Sequence, residues 1–337
     1  MSSLDGATDL ARFRALPKAE IHVHLEGTLD TAEIVAMAAA AHETLPRPPA
    51  DFLRFKDLAD FLTFLDWSCG LVRTPDQMTQ VAYRFSQRLA ASGTRYADAI
   101  INPMHWQAWR HRVAALIDAL DTGFAAAEAD GLPPVGLCVS VLRSQTADQA
   151  IELAELLTGL RHPRVVALSI DGNEAATGRT GPRFAEAFRR AGARGLRRTV
   201  HAGESSGPEG VRDALEHLGA ERIDHGVRAI EDPPLVALLA ERRIPLDICP
   251  TSNVSLSIFP SLADHPIDTL RRAGVRVSVN TDDPVLFGVS LAEEYAKCAA
   301  AFGWTDAIVR DIARTSIEAS FANSDLKARL LSDLAAW

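Results

Sequence analysis

The sequence contains little cysteine, and its cysteines do not come in pairs. The four thiols, Cys69, Cys138, Cys249 and Cys298, are scattered along 337 residues without a C-x-x-C spacing. Zinc sites built on thiolates and redox-active dithiols usually show that paired spacing. We therefore expect four reduced, mostly buried thiols.

The chain also lacks a long apolar run and an excess of positive charge. No segment approaches the roughly 18 uncharged apolar residues that span a bilayer, and the charged stretch Met1–Ala15 has no continuous apolar core. The formal net charge is −9, which disfavours nucleic acid because polyanion binding usually needs a basic face. These absences predict a soluble, cytoplasmic protein that binds neither nucleic acid nor an anionic membrane. They leave the oligomeric state open.

Short apolar runs rich in β-branched residues alternate with longer stretches rich in Ala, Leu, Glu and Arg. This alternation is typical of repeated βα units around a parallel sheet. Eight such runs predict an α/β fold, a single (β/α)8 TIM-type barrel domain over residues 1–337. The predicted strands are Ala19–Leu25, Arg95–Asn102, Val135–Leu142, Val165–Ile170, Arg197–His201, Arg222–His225, Ile244–Ile248 and Val275–Asn280.

The segment from about His42 to Ala91 is too long for one crossover helix. Its aromatic residues Phe61, Phe64 and Trp67 recur every third position, which keeps them on one side of a helix. We predict helices inserted after the first strand, over the mouth of the barrel. Most of their aromatic side chains should pack against one another, and one or two should line a substrate pocket.

Histidine and aspartate stand at the predicted ends of strands one, five, six and eight. His22 and His24 are two residues apart, so the strand period places both imidazoles on one face. The later strands stop at His201, His225, Asp282 and Asp283. In a barrel these strand ends converge on one rim, and imidazoles with a carboxylate suit Zn²⁺ with one position left for water. The sequence therefore predicts a zinc site.

Five segments resemble, in order, the motifs of the adenosine/adenine deaminase family of metal-dependent amidohydrolases. They are Leu16–Gly27, His201–Glu204, Asp224–Gly226, Cys249–Asn253 and Asn280–Pro284, and the resemblance runs from about Leu16 to Phe321. It implies a barrel enzyme that deaminates a small-molecule 6-aminopurine by hydrolysis, with one zinc ion per chain.

The resemblance also implies roles for individual residues. Zinc would be bound by His22, His24, His201 and Asp282. His225 would orient the zinc-bound water and help to deprotonate it, and Glu204 would protonate purine N1 and later help ammonia to leave. An alternative for Glu204 is a purely structural interaction with the start of the helix from Pro208 onward.

The implied substrate contacts are Asp283 to N7, the backbone N–H of Gly172 to N3, and further contacts from His24 and Glu26. The residues themselves favour different tasks for Asp282 and Asp283, because adjacent residues at a strand end point to opposite sides. One metal ligand and one substrate contact is the natural division.

Lysine is absent between Lys56 and Lys297. Related barrel hydrolases often bridge two metals with a carboxylated lysine on a middle strand, and this chain cannot do so on strands four to six. The absence favours one metal ion and argues against phosphotriesterase-like and dihydroorotase-like chemistry.

The motifs disagree about the substrate. Glu26 stands where adenosine deaminases usually carry Asp, and the longer acid could fill the space that a ribose needs. The segment Ile170–Glu174 instead resembles a strand-four motif of nucleoside deaminases. We expect adenosine, with adenine or a modified adenine nucleoside as alternatives. Two hypotheses propose a different type of function: a mononuclear zinc amidase or lactonase, and a barrel that binds zinc without catalysis.

Three further polar residues stand near the predicted site. Arg143 is expected to contact substrate, to cap a helix or to form a salt bridge. His265 should organise the approach to strand eight. Asp224 should brace His225 or a loop, since carboxylates commonly orient imidazoles near metals.

Overall fold

The computed structural model describes residues 10–337, so the first nine residues of the predicted domain and of the segment Met1–Ala15 lie outside the described residues. Within this range, eight parallel strands form one sheet in sequence order, which confirms the predicted α/β barrel. The strands are β1 (Lys18–His24), β2 (Thr94–Ile101), β3 (Val135–Leu142), β4 (Val165–Asp171), β5 (Arg197–Ala202), β6 (Arg222–His225), β7 (Leu246–Ile248) and β8 (Val277–Val279).

The strand positions agree with the prediction to within two residues at each end. Strands β1, β6, β7 and β8 are buried along their whole length, as expected for parallel strands covered on both faces. The four cysteines are buried and unbonded, as predicted. No helix within residues 10–337 is long and apolar enough to cross a membrane.

Helices connect the strands and surround the sheet. Capping boxes begin α1, α3, α5 and α12, where a side chain at the N-cap and one three residues later satisfy free backbone N–H groups. The helices are α1 (Thr31–Ala40), α2 (Leu58–Cys69), α3 (Pro75–Ala91), α4 (Val113–Ala129), α5 (Ala147–Leu160), α6 (Glu174–Thr177), α7 (Gly181–Ala193), α8 (Pro208–Glu216), α9 (Pro233–Glu241), α10 (Pro250–Ser255), α11 (Ile267–Arg272), α12 (Leu291–Phe302), α13 (Asp306–Ala319) and α14 (Ser324–Ala336).

The predicted insertion after β1 is confirmed and contains α1, α2 and α3. Phe64 of α2 packs against Phe52 and Trp67, with ring centroids 5.1 Å and 5.7 Å away. Phe61 stacks on Phe287 from the loop after β8, at 5.1 Å between centroids. Helix α2 therefore forms a cover that is held by aromatic contacts with Phe52 before it and with Phe287 from the loop after β8.

The seam between β8 and β1 closes the barrel partly through a side chain. Asn280 Oδ1 accepts hydrogen bonds from the backbone N–H groups of Ile21 at 2.9 Å and His22 at 3.2 Å. Beyond it, the backbone of Asp282 pairs with β1, accepting from His24 N–H at 2.7 Å and donating to His22 O at 3.2 Å. The φ of Asp282 is +64°, a left-handed conformation uncommon outside glycine. The seam thus fixes Asp282 beside both histidines of β1.

A buried charge network fills the barrel beneath the rim. The guanidinium of Arg222 lies 2.6 Å from Asp98 Oδ2 and 3.0 Å from Asp247 Oδ2, and it donates to the backbone oxygen of Ile21 at 2.8 Å. The ring of Phe321 covers the guanidinium at 4.0 Å. Buried charges require partners of this kind, so Arg222 joins four strands under the site.

Replacement of Asn280 by alanine should destabilise the barrel by roughly 2–4 kcal/mol, because two buried N–H groups would lose their acceptor. Asn323→Ala is the matched control: Asn323 is exposed and only caps α14, so its loss should cost about 1 kcal/mol. Urea unfolding measures both free energies. A loss for Asn280→Ala no larger than for Asn323→Ala would contradict the role of the seam.

Candidate active site

The carboxyl ends of β1, β5, β6 and β8 bring a compact group of metal-binding side chains to the rim. One donor atom from each of His22, His201, His225 and Asp282 lies within 4.8 Å of the other three. His24 borders the group, with Nε2 3.0 Å from His201 Nε2 and 3.3 Å from Asp282 Oδ1. The structure therefore assembles all four predicted ligands, with His225 beside them.

Contacts with acceptor atoms on the far side of two imidazoles indicate which nitrogen faces the centre. His22 Nδ1 lies 2.8 Å from the backbone oxygen of Asp247, an acceptor, so Nδ1 carries the proton. His201 Nδ1 lies 3.2 Å from Oδ2 of Asp224, another acceptor. When both rings are neutral, as metal ligands must be, their Nε2 atoms hold lone pairs that face each other across 3.1 Å. Lone pairs this close repel, so the arrangement fits a cation between them.

Asp282 completes the donor set. Its Oδ1 lies 3.3 Å from Nε2 of both His22 and His24, and its Oδ2 accepts a hydrogen bond from Ser252 Oγ at 2.6 Å. Burial acts to raise the pKa of Asp282, but the hydrogen bond with His22 and the surrounding imidazoles hold it well below its usual range. Imidazole nitrogens with a charged carboxylate are the ligands that Zn²⁺ and similar divalent ions prefer. These residues therefore fit such an ion.

Glu204 lies next to the donor group without belonging to it. Its Oε1 is 3.5 Å from His225 Nε2. Burial, together with the negative charges of Asp282 and Glu174, raises the pKa of Glu204 to about 8. A carboxyl group that keeps its proton near neutral pH can act as a general acid.

The loop that carries Glu204 is held by Glu174 at the start of α6. Glu174 accepts backbone hydrogen bonds from Gly203 at 3.1 Å, Glu204 at 2.9 Å and Ser206 at 3.4 Å. The sequence analysis did not assign Glu174 this function. Its only signal was its position one residue after the strand-four motif residue Asn173, and a bond across two strand ends is not visible in local spacing.

A cleft opens above these groups at the mouth of the barrel. Its wall on one side is apolar and is formed by α2, where Phe61 is the aromatic side chain that lines the cleft, as predicted for one or two of the aromatic residues. Among the described residues, no Lys or Arg lines it. The lining residues are His24, Leu58, Phe61, Leu62, Leu65, His105, Asp171, Gly172, His201, Glu204, His225, Leu256, Asp282 and Asp283.

Three predicted substrate contacts, His24, Gly172 and Asp283, line this cleft. Asp283 lies on its wall, and burial with the nearby charge of Asp282 raises its pKa well above the usual range. A Cβ at Gly27 would come within 2.1 Å of Asp283 Oδ1, so Gly27 makes room for this carboxyl group. Gly172 has φ +98°, a conformation that glycine adopts readily.

Glu26 does not line the cleft. Its Oε1 accepts hydrogen bonds from Trp106 Nε1 at 2.6 Å and the backbone N–H of Asn102 at 2.8 Å. Its Oε2 has no hydrogen-bond partner within residues 10–337 and lies 4.0 Å from His24 Nδ1. Glu26 therefore lies behind His24, held by residues from the end of β2.

The other polar residues considered in the sequence have structural contacts. Arg143 is buried away from the cleft, where it donates to Thr180 Oγ1 and to the backbone oxygen of His201. Asp224 faces the imidazole of His201, whereas the sequence suggested His225 or a loop. Two cleft residues were missed altogether: Asp171, and His105, whose Nδ1 lies 2.5 Å from Asp66 of α2.

A parallel barrel with a divalent-metal donor set and a protonated acid at its strand ends defines a metal-dependent hydrolase. Residues 17–337 match the family model described as adenosine deaminase, and the chain belongs to that family. It is thus a hydrolase of the purine deaminase type.

Relatives cover nearly the whole chain. The aminodeoxyfutalosine deaminase of Streptomyces coelicolor is 38% identical over 99% of this chain and 88% of its own length. The adenine deaminase of the same organism is 36% identical, with 96% of each chain covered. A crystal structure of an amidohydrolase from Burkholderia ambifaria with bound zinc is 29% identical, with a TM-score of 0.87 over 97% of this chain and 95% of that one.

Metal content should respond in a graded way to substitutions in the donor group. Asp224→Asn should weaken Zn²⁺ binding by roughly 10–100-fold, because outer partners orient the ligating imidazoles. His22→Ala should weaken it further, since a ligand is lost. His217 is exposed on the outer surface, so His217→Ala should retain wild-type binding. Competition against a chromophoric chelator measures the affinities; equal values for His22→Ala and His217→Ala would contradict the site.

Proposed function

We propose that this chain uses one zinc ion to deaminate adenine by hydrolysis, producing hypoxanthine and ammonia. The observation that carries the proposal is the buried, proton-retaining acid Glu204, 3.5 Å from His225 at the edge of the metal-ligand group. Family membership and the relatives named as adenine deaminases support the same reaction.

His22, His24, His201 and Asp282 would hold the metal. A zinc ion bound there supplies a Lewis acid that makes water a nucleophile near neutral pH. The preference for zinc over other divalent ions is supported by the imidazole-rich donor set and by the bound zinc of the Burkholderia ambifaria amidohydrolase.

Glu204 would move the protons. Because its pKa is raised to about 8, the carboxyl group carries a proton at neutral pH and can give it to purine N1, which makes C6 electrophilic. The resulting carboxylate takes one proton from the attacking water and delivers it to the departing amino group. The second water proton returns to Glu204 as the C6 carbonyl forms, which restores the protonated acid. One C–O bond forms, one C–N bond breaks, and water and adenine become hypoxanthine and ammonia.

Asp283 and Gly172 would orient the purine ring. The raised pKa of Asp283 keeps this carboxyl group protonated, so it can donate a hydrogen bond to N7. The backbone N–H of Gly172 would donate to N3 from the opposite wall. An amide or lactone substrate would give neither group an evident partner, which favours a purine over amidase or lactonase chemistry.

The cleft favours a neutral substrate. A phosphate group generally requires Arg, Lys or a cluster of N–H donors, and none of the described lining residues is Lys or Arg. A free base or a nucleoside fits this lining better.

Glu26 favours the free base over adenosine, the substrate expected from the sequence. Its Oε1 is engaged by Trp106 and Asn102, and Glu26 is not among the residues that line the cleft, so its carboxylate is not presented to a ribose bound there. An adenine nucleoside remains the second candidate, since the apolar wall of Leu58, Phe61, Leu62 and Leu65 would suit an added apolar substituent.

Glu204→Gln should lower kcat by about 10²–10⁴, because the amide is not acidic enough to protonate N1. Zinc content should remain at one ion per chain. Glu209→Gln, at the exposed start of α8, provides the matched control and should keep wild-type activity. Ammonia release and metal analysis on the same samples test this; full activity in Glu204→Gln would remove Glu204 from the mechanism.

Zinc-loaded protein should convert adenine with a kcat/KM at least about 10-fold above that for adenosine, because substrate discrimination is the ratio of these two values. The ultraviolet change that accompanies loss of the 6-amino group measures both. A higher value for adenosine or for a larger nucleoside would replace adenine as the substrate. Absence of conversion for every 6-aminopurine would overturn deamination.

A further inference from the structure

A row of buried polar side chains extends behind His225, away from the metal. His225 Nδ1 lies 3.2 Å from Asn253 Nδ2, and Asn253 Oδ1 lies 3.1 Å from His265 Nε2. His265 Nδ1 in turn accepts a hydrogen bond from the backbone N–H of Ile267 at 3.3 Å. Asn253 and His265 are 0% and 3% exposed, so water cannot readily substitute for any of these contacts.

The backbone N–H of Ile267 determines the direction of every hydrogen bond in the row, because it can only donate. His265 Nδ1 must therefore be the unprotonated nitrogen of a neutral imidazole, and Nε2 must carry the hydrogen. Burial lowers the pKa of His265 to about 3, which keeps the ring neutral. His265 Nε2–H then donates to Asn253 Oδ1.

The amide group of Asn253 transmits this direction to the active site. With its oxygen accepting from His265, its nitrogen is the atom facing His225, and an amide nitrogen can only donate. His225 Nδ1 must accept, so the hydrogen of the neutral ring resides on Nε2. This nitrogen points to the reaction centre, 3.5 Å from Glu204 Oε1 and 3.9 Å from Asp282 Oδ2.

Hydrogen bonds and packing hold the segment that carries these two residues. The backbone oxygen of Asn253 accepts from Ile258 at 2.8 Å and Phe259 at 3.2 Å. The ring of Phe259 packs against the edge of the His265 ring at 5.1 Å between centroids. The order of donors and acceptors is thus built into the loop after β7.

We propose that Asn253 and His265 are positioning residues that hold His225 as its Nε2–H tautomer, so that His225 donates a hydrogen bond to the water oxygen and leaves proton acceptance to Glu204. This role rests on the proposed deamination. Proton balance is kept: Glu204 gives its proton to N1, takes one from the water, passes it to the departing amine and regains the second water proton as the C6 carbonyl forms. The tautomer itself is a property of the folded site and can be measured without substrate.

Nuclear magnetic resonance of zinc-loaded protein with ¹⁵N-labelled histidine rings tests the tautomer directly. We expect a pyridine-like shift for His225 Nδ1 and a pyrrole-like shift for Nε2, assigned among the ten histidines by the signals lost in His225→Gln. In Asn253→Asp the carboxylate still accepts from His265 but cannot donate, so the two shifts should exchange. A wild-type Nδ1–H tautomer, or an unchanged tautomer in Asn253→Asp, would overturn the proposal.

Kinetics of three variants tests the consequence. Asn253→Asp and His265→Leu should lower kcat by at least about 10-fold, within the range for residues that orient a metal-site imidazole, with KM and zinc content nearly unchanged. His265→Gln should restore most of the loss, because its amide can donate to Asn253. Asn323→Asp on the surface controls for the substitution itself.

The outcomes separate the two proposals. If the wild type shows the Nε2–H tautomer but deaminates no purine, the proposed function fails and the positioning of His225 stands. If the wild type is active and Asn253→Asp keeps its full kcat with a reversed tautomer, the positioning role fails and the deaminase function stands.

Discussion

Two imidazole lone pairs facing each other across 3.1 Å are the constraint on which the rest of this rim depends. His22 and His201 cannot relieve the repulsion by exchanging tautomers, because Asp247 O and Asp224 Oδ2 hold their Nδ1 hydrogens from behind. Those acceptors are themselves fixed: the side chain of Asp247 pairs with Arg222, and Asp224 accepts from Thr199 at 2.5 Å. The charged interior of the barrel thus keeps the unprotonated Nε2 atoms of His22 and His201 directed toward its mouth.

The same rim needs a carboxylate from the last strand, and a short β8 supplies it. Strand β8 ends at Val279, before it could reach the level of His24. Asn280 continues the pairing with its side chain, and the left-handed Asp282 resumes it with its backbone. The three residues from Asn280 to Asp282 therefore both close the barrel and complete the donor set.

Much of this architecture could be predicted from the sequence because strand burial and strand-end chemistry are local. Eight apolar runs located the strands, and His22, His24, His201, His225 and Asp282 were recognised where those runs stop. The choice of partners was not predictable. Asp224 is adjacent to His225 in sequence yet faces His201, its register partner on β5. Glu26 turns to Trp106, and Glu174 holds the Glu204 loop, through contacts between segments 30 to 80 residues apart that local periodicity does not encode.

The stacked rings of Phe61 and Phe287 connect the α2 cover to the loop that carries Asp282 and Asp283. Phe287 lies four residues after Asp283, and its N–H donates to the backbone oxygen of Asp283 at 2.9 Å. The loop that carries Asp282 therefore also holds α2 in place through the contact between Phe61 and Phe287. An aromatic pair stabilises by about 0.5–1.5 kcal/mol beyond its buried area. This contact therefore contributes little compared with the total stability of the barrel. The same short loop thus places Asp282 and Asp283 at the rim and Phe287 against the cover.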